Sequence, residues 1–179
     1  MLPLFIIGYM GCGKTTFGKA LSEVTGLRFI DLDEFIEKTQ NASITEIFNK
    51  HGEEGFRKIE REMLIEVAQN NDTIVACGGG TPCFFNNMEI INSLGVSLWL
   101  QTTHDRLFAR LKAQNAQRPL VAGRSDDEIR DIISRQLTLR APFYSRAHIV
   151  WQGDRLEDRR QIDTTITEFL ISHPEYIKK

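Results

Sequence analysis

The sequence predicts a three-layer α/β/α fold built on a five-stranded parallel sheet. Three observations lead there. Short apolar runs recur near residues 4–7, 28–30, 73–76, 96–100 and 148–151, separated by helix-like stretches, the alternation that gives a parallel sheet with helical crossovers. The first run, Leu4-Phe5-Ile6-Ile7, has no polar gap, as a strand buried on both faces should. It stops at Gly8-Tyr9-Met10-Gly11-Cys12-Gly13-Lys14-Thr15-Thr16, which matches the phosphate-binding pattern G-x-x-x-x-G-K-[ST], and a helix-like stretch follows at once. Residues 1–179 carry no repeat, no low-complexity tract and no linker, and read as one domain.

The first helix runs from residue 15 to about 24, with Phe17, Ala20 and Leu21 on one face. The second strand, Arg28-Phe29-Ile30, runs into Asp31-Leu32-Asp33, an extended segment with two carboxylates on one side. Three short helical pieces then precede the third strand. Ser43 and Glu46 form a capping box for one, and His51-Gly52 ends it. Residues 53 to about 69 form another, with Phe56, Ile59, Met63, Leu64 and Val67 on one face. A single crossover needs less chain, so residues 31–61 read as a small helical subdomain over the sheet edge.

The third strand, Thr73-Ile74-Val75-Ala76, opens into Cys77-Gly78-Gly79-Gly80-Thr81-Pro82. Three glycines at the carboxyl end of a strand let a ligand lie against the backbone, at the edge where open α/β sheets bind ligands. After the fourth strand, Thr103 or His104 caps a helix to about residue 111. Residues 112–124 are polar, broken by Pro119 and Gly123, and read as a mobile lid carrying Arg118 over the γ-phosphate. The next helix spans about 126–140, with Ile129, Ile132, Ile133 and Leu137 on one face, and Arg140-Ala141-Pro142-Phe143-Tyr144 ends it. Strand five, His148-Ile149-Val150-Trp151, precedes a last helix over about 158–171 and a frayed tail, 172–179.

Charge narrows the partners. Twenty-two Lys and Arg against 24 Asp and Glu give a net charge of −2, which argues against nucleic acid or an anionic membrane as partner. Any cationic site is therefore local. Cys12, Cys77 and Cys83 are odd in number, with no C-x-x-C pair, which points to a reducing compartment. With no basic, apolar leader at the N-terminus, the expectation is the cytoplasm.

The phosphate loop makes Gly11, Cys12, Gly13, Lys14, Thr15 and Thr16 candidate nucleotide-binding residues. Glycines bring successive N–H groups up to an anion, and the helix start adds donors and a partial positive charge. Lys14 is placed to reach the β- and γ-phosphates, and the Thr15 hydroxyl to bind Mg²⁺. Cys12 reads as a small filler rather than a nucleophile. Asp31 and Asp33 suit a metal shell and a hydrogen bond from an attacking hydroxyl, one apiece. Asp33 also reads as a helix N-cap. Arg57 stands one turn from both Glu53 and Glu60 and pairs with either as a surface charge, while Arg140 reads as a solvated charge near a helix end.

Together the phosphate loop, Asp31-Leu32-Asp33, Gly52-Glu53-Glu54-Gly55-Phe56-Arg57-Lys58-Ile59-Glu60, Gly78-Gly79-Gly80, Arg118-Pro119-Leu120 and Arg140-Ala141-Pro142-Phe143-Tyr144 resemble the shikimate kinase family, in order and at similar spacing over about residues 4–151. The resemblance implies a nucleoside-monophosphate-kinase-like fold and transfer of the γ-phosphoryl group of ATP to the 3-hydroxyl of shikimate, in a monomer. It implies that Asp33 meets the reacting hydroxyl, Arg57 and Arg140 hold the carboxylate, Gly79 offers a backbone contact, and Phe48 and Phe56 form an apolar wall. Thr15 and Asp31 would surround Mg²⁺, while Lys14 and Arg118 would neutralise the transferring group. Arg110 is matched to the residue that stacks on adenine, and Arg155 to a further nucleotide contact. Thr81-Pro82 departs from the family, where small or apolar residues are expected, as does Val121 after Arg118-Pro119-Leu120, where leucine is expected. Rival readings are a gluconate-type or nucleoside-monophosphate kinase of the same fold, and a slow nucleotide switch, for which the N-K-x-D motif is missing.

Overall fold

β1 (Leu4–Ile7) stands in the middle of the sheet, with β3 (Thr73–Ala76) and β2 (Arg28–Asp31) to one side and β4 (Val96–Gln101) and β5 (Ile149–Gln152) to the other. Every pairing is parallel, with Leu4 opposite both Ile74 and Val96. The computed structural model describes residues 1–113 and 123–176. Burial follows position. All four residues of β1 and of β3 are buried, whereas β2 and β5, at the edges, are partly exposed. From β1 the chain goes to β2 and β3, then crosses to β4 and β5. The strand order therefore reverses at the carboxyl end of β1, where such sheets bind ligands.

Helices α1 (Lys14–Thr25) and α7 (Arg159–Ser172) pack together, with Phe17 and Trp151 each meeting the Phe169 ring edge-on at 5.3 Å. Between β2 and β3 lie α2 (Leu32–Gln40) and α3 (Ile44–Val67). Both halves of the Ser43–Glu46 capping box are made. Gly52, at φ 66° and ψ −178°, kinks α3 where the sequence places a break. Further on come α4 (Asn87–Leu94), α5 (His104–Ala113) and α6 (Asp126–Tyr144).

Three expectations change. The segment after β2 is not extended as far as Asp33, because α2 begins at Leu32. Nor does α6 end at Arg140. Pro142 lies in its last turn and gives up the N–H bond to the carbonyl four residues back, yet the helix runs on to Tyr144. The tail is docked rather than frayed up to Tyr176, which is buried and packs on Phe169 at 5.7 Å. Most of the expected lid, residues 114–122 with Arg118, lies outside the described residues. Among the described residues, no helix is long and apolar enough to cross a membrane.

Candidate active site

The phosphate loop joins β1 to α1. Gly13 caps α1 at φ 101°, and a Cβ there would sit 2.6 Å from Leu156 Cδ1, so backbone and space both demand glycine. It offers no side chain to the helix, and the first turn of α1 holds no acidic residue. Free N–H donors therefore remain for an anion. The Lys14 ammonium donates to the carbonyls of Gly8 (2.9 Å) and Tyr9 (3.0 Å), curling over its own loop. Gly11, Lys14, Thr15 and Thr16 line a cleft of about 370 Å³ that extends to Asp31, Asp33 and Gly79. Cys12 is buried behind the loop, as a filler should be.

Asp31, not Asp33, caps α2. Its Oδ1 accepts from the N–H groups of Asp33 and Glu34, and its Oδ2 accepts from the Thr15 hydroxyl at 2.9 Å. The cap leaves Asp33 in the first turn of the helix, turned into the cleft. Protein packed around Asp33, then the neighbouring carboxylates Asp31 and Glu60, push its carboxyl up to about 6, against a smaller opposing pull from Lys14. The residue is exposed along the open cleft, and water there tempers the shift.

The three glycines after β3 are where the acceptor residues meet. A Cβ on Gly78 would lie 3.1 Å from Asp33 Oδ1; one on Gly79, 3.3 Å from an Arg140 nitrogen; one on Gly80, 3.0–3.2 Å from the Arg57 guanidinium. Each glycine thus makes room for one of the three side chains expected at the acceptor. The Gly79 position also approaches Met10 N (3.2 Å) and Gly8 O (3.5 Å), so the acceptor segment touches the phosphate loop. Phe48 and Phe56 stack at 4.3 Å, and the Arg57 guanidinium lies 5.1 Å from the Phe56 ring.

Arg57 pairs with both candidate partners, with Glu60 at 2.9 Å and with exposed Glu53 at 3.4 Å. Only the first is buried. Glu60 is 1% exposed, and Arg57 Nε is buried with no partner among the described residues. Arg140 is not a solvated charge at a helix end: it stands within α6, its guanidinium 5.6 Å from the Tyr9 ring. Sequence alone assigns no site role to Thr81, Phe84 or Tyr144. Thr81 donates to Glu60 at 2.6 Å, the Phe84 ring lies 3.9 Å from the Arg57 guanidinium carbon, and the Tyr144 hydroxyl donates to the Gly79 carbonyl.

Arg110 reaches the cleft. Its guanidinium ties the carbonyls of Gly11 and Cys12 to those of Gly153 and Asp154, and pairs with Glu157 at 2.8 Å. Such in-plane bonds fix the guanidinium as a staple between the phosphate loop and the segment after β5. Arg155 is not brought into the cleft; it pairs with Glu168 of α7, and its neighbours Leu156 and Glu157 line the cleft instead.

Chemically, the arrangement offers an anion cradle, a hydroxyl–carboxylate pair beside it, and a carboxylate facing two arginines across a glycine strip. Comparisons with known proteins point to one family. A family model described as shikimate kinase matches residues 10–171. A shikimate kinase of Phocaeicola vulgatus is 48% identical over 166 residues, 93% of this chain and 95% of that protein. The crystal structure of shikimate kinase from Bacteroides thetaiotaomicron matches with a TM-score of 0.93 at 42% identity, over 97% of this chain and 98% of that one. Shikimate kinase from Acinetobacter baumannii in complex with shikimate gives 0.82 at 28% identity, over 99% and 96%.

Proposed function

The chain belongs to the shikimate kinase family, and on that premise we propose how its residues divide the work of the reaction. The enzyme moves the γ-phosphoryl group of ATP to the 3-hydroxyl of shikimate, giving shikimate 3-phosphate and ADP on the route to chorismate and the aromatic amino acids. Phosphoryl transfer needs positioning and charge stabilisation more than covalent chemistry.

The observation that carries the assignment is the glycine strip, where Asp33, Arg140 and Arg57 each stand against one glycine. Two arginines there suit a carboxylate, which the guanidinium fork grips in two places. The buried, unpartnered Arg57 Nε is a donor in waiting for it. Phe48 and Phe56 present an apolar wall to the ring. Asp33 accepts a hydrogen bond from the attacking hydroxyl and orients it toward the phosphate loop; its raised carboxyl also suits it to take the proton.

On the donor side, Lys14 exchanges the carbonyls of Gly8 and Tyr9 for phosphate oxygens. Gly11, Cys12, Gly13 and Thr16 supply loop contacts to the nucleotide, and Arg110 braces the loop beside it. Thr15 and Asp31 fit Mg²⁺: a hydroxyl and a carboxylate oxygen 2.9 Å apart are hard donors. Bound there, the cation offsets charge on the phosphates. The described residues hold no further metal-ligating cluster, so its remaining oxygens would come from phosphate and water. By the resemblance, Arg118 supplies a further cation to the transferring group. By the resemblance the enzyme acts as a monomer, and three free cysteines support a cytoplasmic enzyme.

The test is ADP release from ATP and Mg²⁺ with shikimate, gluconate or a nucleoside monophosphate as acceptor. Stimulation by shikimate alone is the expected result. Stimulation by another acceptor would keep the kinase and overturn the acceptor site.

A further inference from the structure

Thr81-Pro82, the departure after the glycines, has a structural use. The turn Thr81–Cys83 is bonded back on the glycines, Thr81 N to Gly78 O at 3.1 Å and Cys83 N to Gly80 O at 2.8 Å. Buried Asn87, the first residue of α4, donates to the Thr81 carbonyl at 2.8 Å and anchors the turn to that helix. Thr81 is fully buried, and its hydroxyl donates to Glu60 Oε1. The other oxygen of Glu60 accepts from Arg57. Glu60 is thus a buried carboxylate held between two donors, an arrangement that fixes its rotamer and satisfies its charge. Past the turn, Phe84 brings its ring to 3.9 Å from the guanidinium, a cation–π contact in a water-poor place.

We propose that Thr81 and Phe84 are positioning residues for the acceptor: Thr81 holds Glu60, Glu60 holds Arg57, and Phe84 presses on the Arg57 guanidinium, so that the guanidinium is kept at the glycine strip where the shikimate carboxylate binds. The turn after the glycines, rather than the glycines alone, then sets acceptor affinity. Neither side chain lines the nucleotide cleft, so the effect is confined to one substrate. The network also reaches Asp33. A Cβ on Gly78 would lie 2.9 Å from Thr81 Oγ1, 3.1 Å from Asp33 Oδ1 and 3.2 Å from Glu60 Oε1. The Thr81 proton on Glu60 therefore blunts the repulsion between two neighbouring carboxylates. The proposal rests on Arg57 binding the acceptor carboxylate.

The experiment compares Thr81→Val, Thr81→Ser, Phe84→Leu and Arg57→Ala in the same ADP-release assay, with thermal unfolding as a check of folding. Thr81→Val removes the hydroxyl and keeps the shape; Phe84→Leu removes the ring face and keeps an apolar side chain. Each is expected to raise the shikimate KM about tenfold, the scale of losing one hydrogen bond to a charged group. The ATP KM stays within about twofold, since no nucleotide contact is lost. Thr81→Ser, which keeps the hydroxyl, restores the wild-type shikimate KM. Folded Thr81→Val and Phe84→Leu proteins with an unchanged shikimate KM would overturn the proposal, provided Arg57→Ala raises it. If Arg57→Ala leaves it unchanged too, the carboxylate assignment itself falls. Equal rises in both KM values, or no rescue by serine, would reduce Thr81 to a structural residue and overturn its positioning role.

Discussion

Replacing Gly80 by alanine should separate acceptor binding from stability. The residue has φ −91° and ψ −22°, a conformation alanine adopts freely. The added Cβ would lie 3.0 Å from one terminal nitrogen of Arg57, 3.1 Å from the other and 3.2 Å from the central carbon. These are the nearest atoms, so the guanidinium must retreat by a few tenths of an ångström. It has little room to do so. Glu60 holds one nitrogen at 2.9 Å and the Phe84 ring stands 3.9 Å away. A misplacement of about 1 Å can cost on the order of a hundredfold, so a few tenths should raise the shikimate KM roughly three- to tenfold. Stability should stay within about 1 kcal/mol, because glycine-to-alanine restricts the unfolded chain by about that much and offsets the packing loss. Gly79→Ala is the contrast. Its Cβ would meet the backbone of Met10 at 3.2 Å, which cannot swing aside, so both KM values should rise. Initial rates of ADP release, with each substrate varied against saturating partner, read both constants. A folded Gly80→Ala enzyme with an unchanged shikimate KM, or with an equal rise for ATP, would refute the geometry of the Arg57 site.

Three further outcomes follow from the same cleft. Lys14→Ala should lower kcat by roughly a hundredfold or more, the scale of removing one charge-stabilising donor, while thermal unfolding shows a retained fold; a near-normal kcat would remove the phosphate-loop role. Because the Asp33 carboxyl is raised to about 6 by burial and by Asp31 and Glu60, kcat/KM should fall as pH drops through about 6. The same shift has an opposite sign for stability. The native state holds the Asp33 proton more tightly than the unfolded chain, so this group's contribution is fully present below the unfolded value of 3.8 and is lost as pH rises through about 6. Asp33→Asn should therefore raise the unfolding temperature more at pH 7 than at pH 4; an equal gain at both would mean the carboxyl is not shifted.

Much of this fold is readable from local chemistry. Leu4-Phe5-Ile6-Ile7 is apolar without a gap because β1 is covered on both faces, and Gly13-Lys14-Thr15 marks the helix start because only glycine fits that cap. The break at Gly52 shows in sequence as His51-Gly52, and Ser43 with Glu46 announces the helix before it. The misread boundaries share a cause. Asp31 caps the helix with one oxygen while Thr15, sixteen residues away, holds the other, and no local pattern records that second bond. Pro142 reads as a helix end, yet Ser145 N still bonds Ala141 O and Tyr144 is buried, so tertiary packing carries the last turn past it.

The site follows the same division, with one exception that the sequence did offer. Arg57, Arg140 and Asp33 are found by motif, but what holds Arg57 is not. Phe84 approaches it from the turn after β3, and no helical or strand period links residues 57 and 84. Glu60 is different. Phe56, Met63, Leu64 and Val67 form the buried stripe of α3, and residue 60 falls four after the first and three before the second, inside that stripe. A carboxylate in an apolar stripe cannot be buried alone, and the cation within one turn is Arg57. The period alone therefore implies that Arg57 turns inward to Glu60, even while it also reaches exposed Glu53. An inward arginine whose carboxylate partner takes one of its five donors still has others to offer, and the unpartnered Nε is one of them. The feature that makes the pair look like an ordinary helix-surface contact, its three-residue spacing, is what places a half-satisfied guanidinium at the glycine strip.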